Sequence, residues 1–421
     1  MKPALPRGAP VCIISDQRCH LRYTGSVSLT ASCECSPAPC SRRDSVTAFA
    51  VMRVLYLVPD LFGPPGGIAR YSRLVTRALC ESECVEQLDV IAFWDEDRSA
   101  IDSRYLFGEG QSYTPSRGRR AGLIQAAVSL LQHNHYDVLI AALVGLSPLL
   151  FVPSMRNTSA RRVTFIYGVD AWCRLPWHKR VAVRRSDVVI SNSQYTARRA
   201  AEANQLDSSR LRLLYGCLDP ELESGPRGYS AESRRAVPAA FPGRTIVTVS
   251  RLAIGEDKGH VAVLRALPSI LRKVPDLQYV IIGDGSFRPG LEELARSLGV
   301  AHRTHFVGSA SDAVVAWYLD NSAAFVMPSR IEGFGLVFLE ALAHGLPVIA
   351  GRHDAAPEVL GPDAAVMVDT DDVEQVADAV VQVLADSQLR GRLVAAGRRR
   401  LDARFRYPAF RETLLAHLAG A

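Results

Sequence analysis

The sequence predicts an α/β protein of two doubly wound parallel-sheet domains facing each other across a cleft. Three observations predict it. The chain has 421 residues, too many for one ordinary core and suited to two or three domains of roughly 100–200 residues. Short apolar, β-branched runs alternate with helical patterns, and continuous apolar runs between helices mark parallel strands covered on both faces. The runs form two groups of six, separated by a polar stretch near 221–243 that Gly and Pro punctuate.

Taken in order, residues 1–51 stand apart. They hold Cys12, Cys19, Cys33, Cys35 and Cys40, much Ser, Pro and Arg, and no sustained period. No apolar stretch there has signal-peptide length, and Cys33, Cys35 and Cys40 fit no standard zinc spacing. The segment reads as a disordered tail or as an extension upstream of a true start at Met52. The first group of runs covers 53–58, 88–94, 136–143, 162–168, 187–193 and 210–216, giving a domain over 52–220. After the 221–243 linker, runs at 245–251, 277–283, 303–308, 323–328, 346–350 and 364–369 give a second domain over 244–403. Between its first two runs, Val261, Leu264, Leu267 and Leu271 make one stripe of a helix over 258–273.

Composition narrows the function classes. With 48% hydrophobic and 22% charged residues the chain folds. No apolar run reaches the roughly 18–20 residues of a spanning helix. A net charge of +6 is too small to argue for nucleic acid. Cys80, Cys84, Cys173 and Cys217 are scattered, as buried reduced thiols of a cytosolic protein would be. Only four residues are Lys (Lys2, Lys179, Lys258, Lys273), so a Lys inside a motif stands out.

In open parallel sheets ligands sit beyond the carboxyl ends of the strands, and four motifs lie there. The strongest runs from Ser329 through Glu332, Gly333, Phe334 and Gly335 to Glu340 and Gly345. Its glycines let backbone amides approach a ligand, and the helix start near Gly335 offers N–H groups to a phosphate. Glu332 and Glu340 flank that site and suit sugar hydroxyls, since carboxylates repel the phosphate itself. The second motif sets Arg251 at a strand end and Asp257-Lys258-Gly259-His260 at a helix start. A Lys there opposes the helix dipole unless an anion is bound, and Arg with Lys can grip a pyrophosphate. The third, Gly63-Pro-Pro-Gly66-Gly67, opens a helix after the first strand, but it is neither G-x-G-x-x-G nor a P-loop. Gly283-Asp-Gly285 lacks the third glycine of a dinucleotide site. The fourth, Tyr167-Gly168-Val169-Asp170, brings a phenol and a carboxylate to the cleft, or is an ordinary turn with a capping Asp.

Together these motifs resemble the retaining glycosyltransferases of family four, with the GT-B architecture, over about 52–421. The Glu-x7-Glu element at Glu332 and Glu340, Gly333-Phe334-Gly335, Arg251 with Lys258, and Gly66-Gly67 carry the resemblance. Residues 404–421 look like the family's closing helix, which crosses back to the first domain. The resemblance implies a nucleotide diphosphate-sugar donor, UDP- or GDP-linked, transferred as a hexose with retention and without a metal or other cofactor. It implies Arg251 and Lys258 on the diphosphate and Glu340 on the ribose. It places Glu332 with the Gly333, Phe334 and Gly335 backbone at the sugar and β-phosphate, Gly67 as a backbone contact and Val307 beside the base. Glu332, Arg251 and Lys258 are the expected catalytic groups. Tyr167 and Asp170 are the expected acceptor groups, although many relatives carry His where Tyr167 stands.

The expected acceptor is a glycan or lipid-linked intermediate of cell-surface polysaccharide synthesis. Trp172 to Arg185 mixes two tryptophans with five cations. It reads as a solvated helix, or as a peripheral contact with an anionic membrane on the inner face of the plasma membrane. Two rivals to transfer are a GT-B nucleotide-sugar epimerase and a non-catalytic nucleotide-sugar-binding subunit.

Overall fold

The computed structural model describes residues 51–63, 66–97, 101–106, 108–222, 243–255 and 258–420. The expected leader, Val51 excepted, and most of the expected linker lie outside them, as does Asp257. Phe49–Ala421 is one compact unit, built on two sheets.

The first sheet orders its strands β3-β2-β1-β4-β5-β6-β7, all parallel. They are β1 Met52–Val58, β2 Val85–Ala92, β3 Gln111–Pro115, β4 Val138–Ala141, β5 Arg161–Ile166, β6 Val188–Ser191 and β7 Leu211–Leu213. The second sheet orders β10-β9-β8-β11-β12-β13, again parallel. It comprises β8 Thr245–Val249, β9 Gln278–Ile282, β10 Thr304–Gly308, β11 Ala324–Met327, β12 Val348–Gly351 and β13 Ala365–Val368. The sequence reading foresaw every strand but β3. That strand is an edge of polar composition with one buried side chain, Tyr113, so it has no apolar run to find.

The central strands are apolar throughout because helices cover both faces of each sheet. Tyr56, Val58, Val90, Ile140 and Phe165 fill one face of the first sheet together with helix Gly67–Cys80. The last helix, Tyr407–Ala419, joins that same core through Phe410, Leu414 and Leu418. Tyr407 donates to Glu81 at 2.8 Å, and the Phe410 ring meets Tyr71 edge-on at 5.5 Å. Each such apolar side chain contributes roughly 1.5–3 kcal/mol by leaving water. Where the chain passes between the halves, Leu218 N–H bonds the Phe405 carbonyl at 2.9 Å.

Strand order reverses direction between β1 and β4 in one sheet and between β8 and β11 in the other. Crevices open at the carboxyl ends of such switch points. The loops that leave β1, β8 and β11 there carry Asp60 to Gly67, Arg251 to Lys258 and Ser329 to Gly335. No helix of the described residues is long and apolar enough to cross a membrane.

Candidate functional site

The loop after β11 builds the centre of the site. Gly335 caps helix Leu336–Ala343 at φ 87°, a left-handed conformation that suits glycine, and no side chain caps the helix. Its first amides are therefore open to an anion. Glu332 folds back under this turn. Its Oε1 accepts from Gly333 N–H at 3.1 Å and Phe334 N–H at 3.4 Å. Its Oε2 takes Lys258 Nζ at 3.2 Å, and Lys258 also donates to the Ile331 carbonyl at 3.0 Å. Both side chains are largely enclosed. Lys258 sits just ahead of helix His260–Lys273, which starts two residues later than expected because Gly259 is its left-handed cap. His260 is buried against Ser250, at 3.1 Å from its hydroxyl.

Asp354, past the end of β12, fixes the loop from beneath. It accepts from Glu332 N–H and Ala356 N–H, each at 2.9 Å. Burial pushes its carboxyl up to about 6. Sequence reasoning missed it, although a carboxylate just beyond a buried strand end was the available signal.

Gly333 joins the two halves. A Cβ there would stand 1.8 Å from the Tyr167 carbonyl oxygen, and Ser193 Oγ donates to the Gly333 carbonyl at 2.6 Å. Beside this contact, Glu358 accepts from Gln194 N–H at 2.6 Å and Tyr195 N–H at 3.0 Å, closing the start of helix Gln194–Asn204. Neither Ser193 nor Glu358 was foreseen. Ser193 is legible only as a helix cap.

Glu340 lies on helix Leu336–Ala343 and is almost wholly buried. Burial pushes its carboxyl up, and the Arg70 guanidinium from the other half draws it back. Arg70 pairs with both Glu340 and Asp312. It was missed, yet it carries the signal that singled out Lys258, a cation in the first turn of a helix.

From the first half, Gly66 and Gly67 open helix Gly67–Cys80 with no side-chain cap, and no atom stands within 4 Å of a Cβ placed on either. Asp95 shapes the preceding loop by accepting from Leu61 N–H and Phe62 N–H, at 3.0 and 2.9 Å to Oδ2. Asp60, two residues beyond β1, is pushed up to about 6 by burial and by Asp95; Arg73 and Arg251 oppose the rise. Arg251, two residues beyond β8 and exposed, thus faces a first-half carboxylate across the cleft. Val307 falls at the register shift between Phe306 and Gly308 on the edge strand β10. A bulged residue leaves its backbone groups out of the regular ladder.

Three expected site residues sit differently. Tyr167 turns its ring into the first core, where it meets Tyr71 edge-on at 5.1 Å. Its enclosed hydroxyl has no hydrogen-bond partner, so the group it brings to the cleft is its carbonyl rather than the expected phenol. Asp170 acts on its own loop. Oδ1 accepts from Gly168 N–H at 2.7 Å and Tyr167 N–H at 3.1 Å, and Oδ2 is sealed from solvent without a partner. Burial pushes this carboxyl up to about 6 against those two bonds. The Phe334 ring is buried against Tyr215 and Phe405, leaving only its backbone near the site. A cavity of about 490 Å³ lined by Asp320, His344, Arg390 and Arg398 lies at the far end of helix Leu336–Ala343 and shares no residue with this site.

Comparison with known proteins bears on this geometry. Residues 231–400 match the family model described as glycosyl transferases group 1, and residues 65–222 match that of glycosyltransferase family 4. The GDP-mannose-dependent alpha-(1-6)-phosphatidylinositol monomannoside mannosyltransferase of Mycobacterium tuberculosis is 34% identical over 283 residues, spanning 64% of this chain and 71% of that protein. The alpha-D-kanosaminyltransferase of Streptomyces kanamyceticus is 28% identical over 262 residues, 61% of this chain and 66% of that one. Among solved structures, HepE of Anabaena in complex with UDP and glucose superposes with a TM-score of 0.68 at 19% identity. That match covers 86% of this chain and 97% of that one.

Proposed function

Because the chain belongs to the GT-B glycosyltransferases of family 4, we propose that it moves a hexose, with retention of anomeric configuration, from a nucleoside diphosphate-sugar to a glycan or lipid-linked acceptor. The observation that carries this reading is the Lys258–Glu332 pair beside the uncapped helix start at Gly335, at the switch point of the second sheet. In the proposed mechanism Lys258 and Arg251 neutralise the diphosphate, Lys258 leaving Glu332 for a phosphate oxygen. The open amides at Gly335 and at Gly67 add donors to the same anion. Charge grows on the leaving phosphate as the glycosidic bond breaks, and fixed cations and amides stabilise that state more than the ground state. The leaving phosphate oxygen then takes the acceptor proton on the same face of the sugar. Glu332, released from Lys258, faces the sugar hydroxyls, Glu340 holds the ribose, and Val307 offers its backbone to the base. This scheme asks for no protein nucleophile.

GDP-mannose with a glycolipid acceptor is the first pair to try, since the mycobacterial relative is named for GDP-mannose and a phosphatidylinositol mannoside. A lipid acceptor also suits helix Trp177–Arg185, which exposes Trp177 and Val181 beside Arg184 and Arg185. An aromatic and cationic face of that kind favours peripheral binding to an anionic membrane on its cytoplasmic side. A thermal-shift screen of GDP- and UDP-hexoses, followed by turnover with lipid-linked acceptors, tests the proposal. Stabilisation by one donor and transfer from it is the expected result. Epimerised donor without transfer, seen by nuclear magnetic resonance, would replace transfer with isomerisation; donor binding with neither reaction would leave a binding subunit.

A further inference from the structure

Arg70 spans the two halves at the carboxylate assigned to the ribose. It stands in the first turn of helix Gly67–Cys80, where a cation opposes the helix dipole and needs a compensating partner. Its guanidinium is divided between two carboxylates of the other half. Nη1 donates to Oε1 of Glu340, and Nη2 to Oδ1 of Asp312, the first residue of helix Asp312–Asp320. The Arg70 and Glu340 side chains keep 15% and 11% of their surface exposed, whereas Asp312 keeps 58%. The desolvated pair is therefore Arg70 with Glu340, and Asp312 is a tether at the rim. Among the described residues Glu340 Oε2 takes no hydrogen bond, and it is not sealed from solvent.

We propose that Arg70 is a positioning residue for the donor: it holds Oε1 of Glu340 from the opposite half, turns Oε2 towards the ribose hydroxyls, and makes a firm grip on the ribose conditional on the halves being together. This rests on the nucleotide-sugar reading and extends it, because that reading leaves the ribose to Glu340 alone. The helix that carries Arg70 begins at Gly67, so one rigid element meets the donor at its phosphate and at its ribose carboxylate.

The electrostatics give the role a signature beyond packing. Burial and Asp312 push the Glu340 carboxyl up; Arg70 and, more weakly, His344 draw it down. Asp219 and Tyr105 also face Arg70. Without Arg70 the carboxyl keeps its proton to higher pH, so ribose binding weakens further as pH falls.

The test is calorimetric binding of GDP, UDP and their 2′,3′-dideoxy forms to the full chain and to Arg70→Gln and Arg70→Lys, at about pH 6 and about pH 8. Charged hydrogen bonds of this kind predict that Arg70→Gln weakens the preferred ribonucleotide by about tenfold or more. The dideoxy form should lose little, so the preference for ribose collapses. The deficit should be larger at the lower pH, and Arg70→Lys should recover part of it. Equal weakening of ribo and dideoxy forms, or a preference unchanged in Arg70→Gln, overturns the proposal. Should Arg70→Gln fail to fold, Arg70→Lys decides alone: an intermediate preference supports the role and a wild-type preference refutes it. Failure of the unaltered chain to bind either nucleotide would instead overturn the nucleotide-sugar reading, and this role with it.

Discussion

The backbone of Gly333 lies against the carbonyl of Tyr167 with no space for a side chain between them. Two loops from different sheets therefore meet by main chain alone, beside the open helix start at Gly335. Gly333→Ala must push them apart. Displacement of about 1 Å at a reacting centre can cost about a hundredfold in rate. We expect transfer to fall by about that factor while circular dichroism stays unchanged, since the contact joins two loops and lies outside every strand and helix.

Three charged groups of the proposed donor site, Lys258, Glu332 and Glu340, give a second test. Lys258→Ala, Glu332→Ala and Glu340→Ala should each lower transfer by about 10²–10³, the scale of losing one transition-state electrostatic contact. Lys258 and Glu332 touch, so Lys258→Ala with Glu332→Ala should cost less than the sum of the two. Additive losses in a steady-state assay would show that the pair does not act together.

Tyr167→Phe removes an enclosed hydroxyl that makes no well-formed hydrogen bond. The Ser72 hydroxyl, which likewise lacks a well-formed hydrogen bond, lies close enough to interact with it and to ease its ionisation. Deleting a buried unsatisfied polar group is neutral or stabilising by up to about 1 kcal/mol. Unfolding midpoints and initial rates should both stay at or slightly above wild type. A large loss of transfer would place that hydroxyl on the acceptor after all.

Asp170 predicts a pH dependence. Its folded-state carboxyl titrates near about 6, above its ordinary value, because burial disfavours the charge. A raised acid contributes stability that is fully present below the unfolded-state value and lost as pH rises through the folded one. Relative to Asp170→Asn, which cannot titrate, the unaltered chain should lose stability between about pH 4 and pH 6, by up to about 3 kcal/mol. Thermal unfolding of both proteins across that range checks the sign.

Legibility followed local pattern. Buried strands announce themselves as apolar runs, and loops at their carboxyl ends carry glycines and charges, which is how Lys258, Glu332 and Gly335 stand out as candidates; Glu340 stands out as a carboxylate on an otherwise apolar helix. Edge strand β3 was not, because solvent leaves its composition polar. Tyr167 sits differently for a related reason: just past the end of a buried strand the sequence shows a polar atom but not which way the ring turns. Arg70, Ser193 and Glu358 take their meaning from partners 140 or more residues away, and Asp354 from Glu332, 22 residues earlier with a helix and a strand between, so local pattern does not pair them.

The final helix has a consequence for how the protein is made. Phe410, Leu414 and Leu418 complete the first core, although the whole second sheet is synthesised before them. Domains ordinarily fold in turn as they leave the ribosome. Here the half that emerges first must wait, its apolar groove beside Tyr71 open to water or chaperone, while the later half can close on its own residues. A chain ending at Arg406, which keeps Phe405 in the second core but lacks the last helix, should therefore expose protease sites across 52–220 and leave the second sheet protected, as limited proteolysis with mass spectrometry would show.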